Sequence, residues 1–433
     1  MGGTHPARSK PGLFYGWLVV AAAFAVTLVG FGSAYTFSTF VASLQTEFAA
    51  SRGSISLVFS LAGFLYFGLG VISGPLADRW GSRPMVVTGM MLVATGLALA
   101  SAARNLTEVY LAYGVGVGLG VGFSYVPALG AVQKWFARRR GFASGLAVSG
   151  IGVGTLIMPP LASALIEALG WRGTYLVLAG VAAVVGAGMG LLVEDDPSDR
   201  GLGPDGDPRR ADVASVDPAG TSIREAIRSR AFIGLYAACL LCSFGVFVPF
   251  AHLVSYALDQ GVAQSSAVVL LAMIGVGSTA GRFVLGGLAD RMGRRLSLLV
   301  MIVGMALAMA IWAASTQFPA LTAFALSYGV FYGGWVAVLP AIVMDQFGRR
   351  NVSSLIGALY TSVAFGTLIG PSAAGFAFDI SNSYRLPILA SVCANLIAAG
   401  IVAGTLKTPI GPYDHNVRGP PLRNRHHSRL CGQ

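Results

Sequence analysis

Gly74-Pro75-Leu76-Ala77-Asp78-Arg79-Trp80-Gly81 returns 212 residues later as Gly286-Gly287-Leu288-Ala289-Asp290-Arg291-Met292-Gly293. The same offset carries Gly145 to Gly357, and the stretch Gly154 to Pro159 (GTLIMP) to Gly366 to Pro371 (GTLIGP). Separate matches that hold one register mark an internal duplication. Each octapeptide lies between the second and third apolar runs of its half. With six runs per half, the two copies enter the membrane in the same sense, so they are parallel repeats about an axis along the membrane normal. Such a pair places a binding cavity between the halves near the midplane.

The surrounding composition requires a membrane. Of 433 residues, 55% are hydrophobic and 11% charged, with a mean hydropathy of +0.70. Soluble domains carry about 25% charged residues. A disordered chain, a coiled coil and a disulfide scaffold are excluded. A membrane helix needs about 20 apolar residues. Stretches of that size fall at approximately 14–40, 54–77, 84–103, 107–131, 142–166 and 173–193, then 231–256, 266–288, 296–315, 319–343, 353–378 and 384–406. The first is too long for a signal-peptide core and reads as a retained helix. The expected fold is an all-α integral membrane protein of twelve transmembrane helices in two six-helix bundles. Its parts are a cytoplasmic segment (1–13), an N-terminal six-helix domain (14–193), a solvated cytoplasmic linker (194–230), a C-terminal six-helix domain (231–406) and a disordered cytoplasmic tail (407–433).

Charge then sets orientation. The net charge is +11. With both termini in the cytoplasm, 24 of the 29 Lys and Arg fall inside and four outside (Arg52, Arg104, Arg172, Arg385), leaving Arg282 within a span. That bias supports cytoplasmic termini in a cell membrane, and the basic excess is expected to meet lipid rather than nucleic acid. Residues 222–230 read as a short basic amphipathic helix on the inner surface. Cys239, Cys242, Cys393 and Cys431 show no metal or disulfide spacing, and His415, His426 and His427 in the tail are not read as a metal site. No cofactor or metal is expected.

The repeated G-x-L-A-D-R-x-G-[RS]-R signature and the 6+6 layout resemble the major facilitator superfamily over residues 12–406. Within it, three stretches resemble the monocarboxylate and oxalate:formate branch. These are Tyr15-Gly16-Trp17, the run from Trp135 to Ala147 (WFARRRGFASGLA), and Gly281-Arg282-Phe283. The resemblance implies a secondary carrier of small organic anions. Two features of that branch are missing: the chain has no lysine in a span, and Ser278 stands where proton-coupled relatives can carry an aspartate four residues before the arginine. One buried cation suits a monoanion better than a dianion.

Arg282 is the sharpest functional candidate. Eight residues before Asp290, it sits about 12 Å into the membrane, where a guanidinium is costly unless it faces water or an anion. Its repeat partner is Gly70, so the duplicated scaffold does not demand it. Its planar fork suits a carboxylate; the bland alternative is a charge satisfied by Ser278, Thr279 or helix carbonyls. Depth also selects Tyr125, Tyr332, Trp335, Tyr360 and Tyr35 as substrate-lining candidates, each also readable as packing. His252, near the outer end of span 7, is a candidate proton relay or a structural histidine.

Asp78, Arg79, Arg83, Asp290, Arg291 and Arg294 read as a conformational latch. The aspartates are expected to accept at neighbouring helix N-termini and the arginines to meet inner-leaflet phosphates; in the superfamily such loops hold the halves together. Gly154 with Pro159, and Gly366 with Pro371, are expected to kink spans 5 and 11 as hinges or fixed bends. Gly114, Gly116, Gly118, Gly120 and Gly122 give span 4 a smooth ridge for close packing. The functional expectation is a monomeric alternating-access carrier for small monocarboxylates, working by proton symport or exchange against a counter-anion. A drug or metabolite exporter and a non-transporting carboxylate sensor are the rivals. No span shows an enzyme's nucleophile–base constellation.

Overall fold

The computed structural model describes residues 14–136, 138–206, 221–348 and 352–406; the side chains of Arg140, Asp290, Val352 and Ser353 lie outside the described set. So do residues 1–13, the linker core 207–220 and the tail from 407, on which three of the expectations above fall. Every regular element among the described residues is helical.

The first half contains α1 (Tyr15–Phe48), α2 (Arg52–Gly68 and Gly70–Trp80, bent by 47°), α3 (Ser82–Ser101) and α4 (Leu106–Trp135). The segment Gly141–Gly190 follows, 50 residues long. A straight helix of that length would span about 75 Å, far more than a bilayer. Gly170, at φ 71° and ψ 169°, folds it back into α5 (141–169) and α6 (171–190). The second half contains α7 (Arg230–Asp259), α8 (Gln264–Met292), α9 (Arg294–Ala314), α10 (Phe318–Phe347), α11 (Val352–Ser381) and α12 (Arg385–Thr405). Twelve passes result. Large apolar side chains face outward, among them Ile380 (86% exposed) and Val184 (75%), a surface that requires lipid as its solvent.

The backbone carries the duplication further than the sequence does. Positive φ occurs at Ala49 (48°) and Gly261 (80°), at Gly81 (91°) and Gly293 (85°), and at Gly170 (71°) and Asn382 (52°). Each pair is separated by 212 residues. The glycine that closes each signature octapeptide is thus the residue at which the chain reverses between α2 and α3, or between α8 and α9. A side chain is disfavoured there because Cβ meets the following carbonyl.

Glycines on α4 sort by face. A Cβ added at Gly114, Gly118 or Gly122 would press on Leu61, Ala62 or Leu69 of α2. At Gly116 or Gly120 it would press on Gly96 or Gly89 of α3. Spacing of four keeps each set on one stripe, so α4 packs backbone-close against two helices at once. Between the halves, α2 lies along α11 and α5 along α8. A Cβ at Gly275 would stand 2.5 Å from Leu156 N and one at Gly152 2.2 Å from Thr279 Oγ1, which is how α5 and α8 come together.

The linker departs from expectation. Its first residues are tied to the protein: Glu194 takes Arg200 (2.7 Å) and Arg83 (3.1 Å), Trp135 Nε1 donates to Glu194 O (2.8 Å), and Asp205 accepts from Arg138 N (2.8 Å). Tyr15 and Trp17, which open α1, meet this assembly: Tyr15 hydroxyl donates to Leu192 O, Arg200 lies 3.5 Å over the Tyr15 ring, and Trp17 packs on Phe136. Residues 223–228 form the expected short helix, closed by a Ser222–Glu225 capping box. These elements mark one end of the bundle, the linker end.

Candidate carboxylate site

Arg282 is placed by small residues. A Cβ on Gly281 would lie 2.0 Å from Val330 O, so α8 and α10 touch backbone to backbone one residue before the arginine. On the other side, a Cβ on Gly152 of α5 would lie 3.1 Å from Arg282 Nη1. The guanidinium therefore sits in the seam between the two halves. It is 5% exposed.

Nη1 donates to Ser278 Oγ at 2.7 Å, one helical turn back, while Nε and Nη2 have no partner. Those two nitrogens share one edge of the guanidinium, the edge that grips a carboxylate with two parallel hydrogen bonds. Ser278 takes the third nitrogen and leaves the fork open. A buried donor without an acceptor costs about 1–3 kcal/mol, more when charged, and both nitrogens have room in their bonding for an acceptor. The bland alternative, a guanidinium satisfied by its own helix, accounts for Nη1 alone.

A small cavity lies nearby, and Arg282 itself is not among its lining residues. Its walls include Tyr35, Tyr125, Tyr332, Trp335 and Tyr360, all five aromatics expected from the sequence. Tyr35 of the first half and Tyr332 of the second hold hydroxyls 3.2 Å apart, and Tyr332 stacks on Trp335. No acidic side chain lines this cavity among the described residues.

Seven further walls escaped the sequence reading: Phe31, Phe67, Ile151, Phe247, Val336, Leu339 and Val363. One had a signal: Phe247 is the repeat partner of Tyr35. Phe31 and Phe67 are spaced like ordinary core residues and had none.

The other candidates lie elsewhere. His252 is at the end opposite the linker, bonded to Ser56, Tyr384 and Pro371 O and outside the cavity. Asp78 is exposed and pairs with Lys134 (3.3 Å) of its own half. The cap expected of it is supplied by Asp195, which accepts from Ser82 N (2.7 Å) and Ser82 Oγ at the start of α3. Arg79 and Arg291 are exposed, Arg83 holds Val193 O and Glu194, and Arg294 pairs with Asp345 (2.5 Å) in the second half. The Asp290 side chain lies outside the described set. Gly154, Pro159, Gly366 and Pro371 sit inside helices with no break in the backbone. A Cβ on Gly154 would meet Leu28 O of α1 at 2.4 Å, and one on Gly366 would meet Ser243 Cβ of α7 at 2.3 Å. Those glycines are close-approach points at matching places in the repeat.

A twelve-pass bundle of two six-helix repeats around a central cavity defines a membrane carrier, and the family model of the Major Facilitator Superfamily matches residues 22–313 and 269–424. The chain belongs to that superfamily and is a transporter, not an enzyme. Within it, the chain belongs to the monocarboxylate transporter branch. It is 30% identical to monocarboxylate transporter 12 of Rattus norvegicus over 424 residues, covering 93% of this chain and 87% of that one. It is also 30% identical to monocarboxylate transporter 11 of Mus musculus (89% and 86% covered) and to monocarboxylate transporter 3 of Rattus norvegicus (92% and 81%). Among solved structures, a bacterial homolog of the human lysosomal transporter Spinster, inward-facing and unoccupied, shares the fold at TM-score 0.71 and 16% identity, over 91% of this chain and 97% of that one.

Proposed function

We propose that the chain is a secondary carrier of small monocarboxylates, with Arg282 as the residue that binds the carboxylate. The open Nε–Nη2 edge of a buried arginine carries this reading. One cation and no lining acid give the cavity room for one negative charge. The phenols of Tyr35, Tyr125, Tyr332 and Tyr360 surround the carboxylate, and Trp335 and the aliphatic walls take the body of the substrate.

The two six-helix units, 14–193 and 231–406, rock about the seam to expose this site alternately on either side. Substrate moves with a proton or against a second anion. The bias of Lys and Arg toward the linker end supports placing that end, with both termini, in the cytoplasm of a cell membrane. The exposed arginines Arg79 and Arg291 then meet inner-leaflet lipid, and the carrier works as a monomer.

The test is uptake of labelled monocarboxylates into proteoliposomes by wild type, Arg282→Lys and Arg282→Gln, with folding checked by monodisperse elution. Saturable uptake is expected for wild type, severely reduced uptake for Lys, and none for Gln. Wild-type uptake by a folded Arg282→Gln variant overturns the assignment.

A further inference from the structure

The end opposite the linker, here the far end, is fastened across the seam. Arg52 at the start of α2 grips Asp259 of α7 with two hydrogen bonds, Nη1 at 2.5 Å and Nη2 at 2.6 Å. Its guanidinium lies 4.1 Å over the Phe378 ring. Asp379 of α11 accepts from the backbone N–H of Arg52 and of Gly53. Behind these contacts lies His252, 2% exposed.

The partners of His252 settle its protons. Nε2 is 2.8 Å from Pro371 O, and a carbonyl only accepts, so Nε2 bears hydrogen. Ser56 Oγ stands 3.2 Å from the same nitrogen. Nδ1 is 3.0 Å from the Tyr384 hydroxyl, whose oxygen also receives Arg52 Nη1 at 3.2 Å. Arginine only donates, so the hydroxyl accepts from Arg52 and keeps its own O–H to donate to Nδ1. This arrangement suits a neutral imidazole.

We propose that His252 is a proton-binding site of the far-end seal, and that protonating it releases the seal. Imidazolium presents Nδ1–H to a hydroxyl that already accepts a hydrogen bond from Arg52, so the phenol must turn its own O–H away and take two cationic donors on one oxygen, and the contact between ring and phenol weakens. It also sets a second positive charge beside Arg52 in a buried place. Two of the three carboxylates near the ring are already paired with arginines; the third, Asp379, is bonded to backbone amides and keeps its charge. On α7 itself, Asp259 is held by Arg52, and the Tyr256 hydroxyl donates to Ser315 O. On α11, Asp379 is held by two amides; on α1, Glu47 is paired with Arg172 at 2.8 Å. The sign follows: the seal is intact with neutral His252 and weakens as the pH on that side falls through the histidine range.

The duplication explains why one half carries this device. Glu47 and Arg172 pair within the first half, and their repeat partners are Asp259 and Tyr384. Tyrosine in place of arginine leaves Asp259 free for Arg52 across the seam and sets a hydroxyl beside the histidine. The partner of His252 is Phe40, stacked on Tyr175 at 4.2 Å, which cannot titrate.

The inference rests on the alternating-access reading but on no particular substrate. Full-length protein in nanodiscs, with its native cysteines replaced, is spin-labelled at Thr46→Cys and Gln260→Cys, and the label distance is measured at about pH 7.5 and about pH 5.5. In the wild-type background, the population at long distance rises several-fold at the lower pH. With His252→Gln, whose amide can both donate and accept, the short distance persists at both. Asp259→Asn, which breaks the Arg52 fork, lengthens the distance at both pH values. Opening by Asp259→Asn without any response of the wild type to pH overturns the proton site and leaves alternation standing. A pH response that survives His252→Gln also overturns it, and so does closure at low pH. Labels that move with neither pH nor Asp259→Asn count against both readings.

Discussion

Asp379 accepts hydrogen bonds from the backbone N–H groups of Arg52 (3.0 Å) and Gly53 (2.8 Å), so a carboxylate on α11 caps a helix that belongs to the other half of the molecule. Helix capping is ordinarily a local matter, settled by the residue just before the helix. Here Ser51 fills that role, accepting from Ser54 N, and Asp379 satisfies two more of the free amides from across the seam. Separating the halves at this end therefore uncaps α2.

Asp379→Ala should lower the stability of the sealed far end by about 1–2 kcal/mol, the usual worth of an N-terminal cap. Hydrogen exchange of the amides at 52 and 53 reads it directly. Exchange about tenfold faster or more is expected there, with little change at the linker end.

Arg282 should be a burden on the empty protein. Arg282→Met keeps the length of the side chain and removes two unsatisfied donors, so the melting temperature of the substrate-free protein should rise, by an amount equivalent to about 1–3 kcal/mol. The same variant should lose all stabilisation by added monocarboxylate. A thermal melt with and without ligand measures both.

Gly281 and Gly287 lie on the same helix with opposite expectations. Gly281→Ala forces a Cβ to within 2.0 Å of Val330 O and should cost about 2 kcal/mol or more, because backbone cannot step aside as a flexible side chain does. Gly287→Ala meets nothing within 4 Å and should be neutral or slightly stabilising through helix propensity. Melting temperatures of the two variants make the comparison.

Ala49 stands at φ 48°, where its repeat partner is Gly261. Ala49→Gly should raise stability by about 1 kcal/mol, the left-handed penalty less the added freedom of the unfolded chain. A melting temperature above that of wild type checks it.

The docked linker should loosen in acid. The hydrogen bond from Arg200 holds the Glu194 carboxyl below the usual range. A carboxylate depressed on folding contributes its stability above its unfolded value and loses it as pH falls through the folded one. Hydrogen exchange of residues 194–206, corrected for intrinsic rates, should show protection at neutral pH that disappears well into the acid range. Glu194→Gln should show that loss already at neutral pH.

The twelve passes, the duplication and Arg282 were legible because each is local: apolar runs, a fixed offset, and one charge where charge is expensive. The aromatic set was legible through depth along a helix, which needs only rise per residue. Asp195 was not. Its carboxylate reaches Ser82 because α6 returns the chain beside α3, and no spacing in the sequence announces that; Asp78, adjacent to the same turn, looked the better cap and faces solvent instead. Gly154 and Gly366 read as hinges or fixed bends beside their prolines; that they also admit the backbone or side chains of α1 and α7 depends on helices more than a hundred residues away. The far-end seal was out of reach for the same reason, since Arg52, Asp259, Asp379 and Tyr384 come from both halves.

Tyrosine at 384, where the first half has Arg172, has a further consequence for the empty molecule. A body that rocks about a central seam while its firmest described fastenings sit at one rim has a default posture. On the proposed alternating-access reading, these fastenings favour the posture in which the far rim is closed. Cargo bound at the centre, or a change of charge at that rim, must supply the difference. Arg52 in the first copy, with His252, Asp259 and Tyr384 in the second, gives the far rim a fastening that neither copy supplies alone.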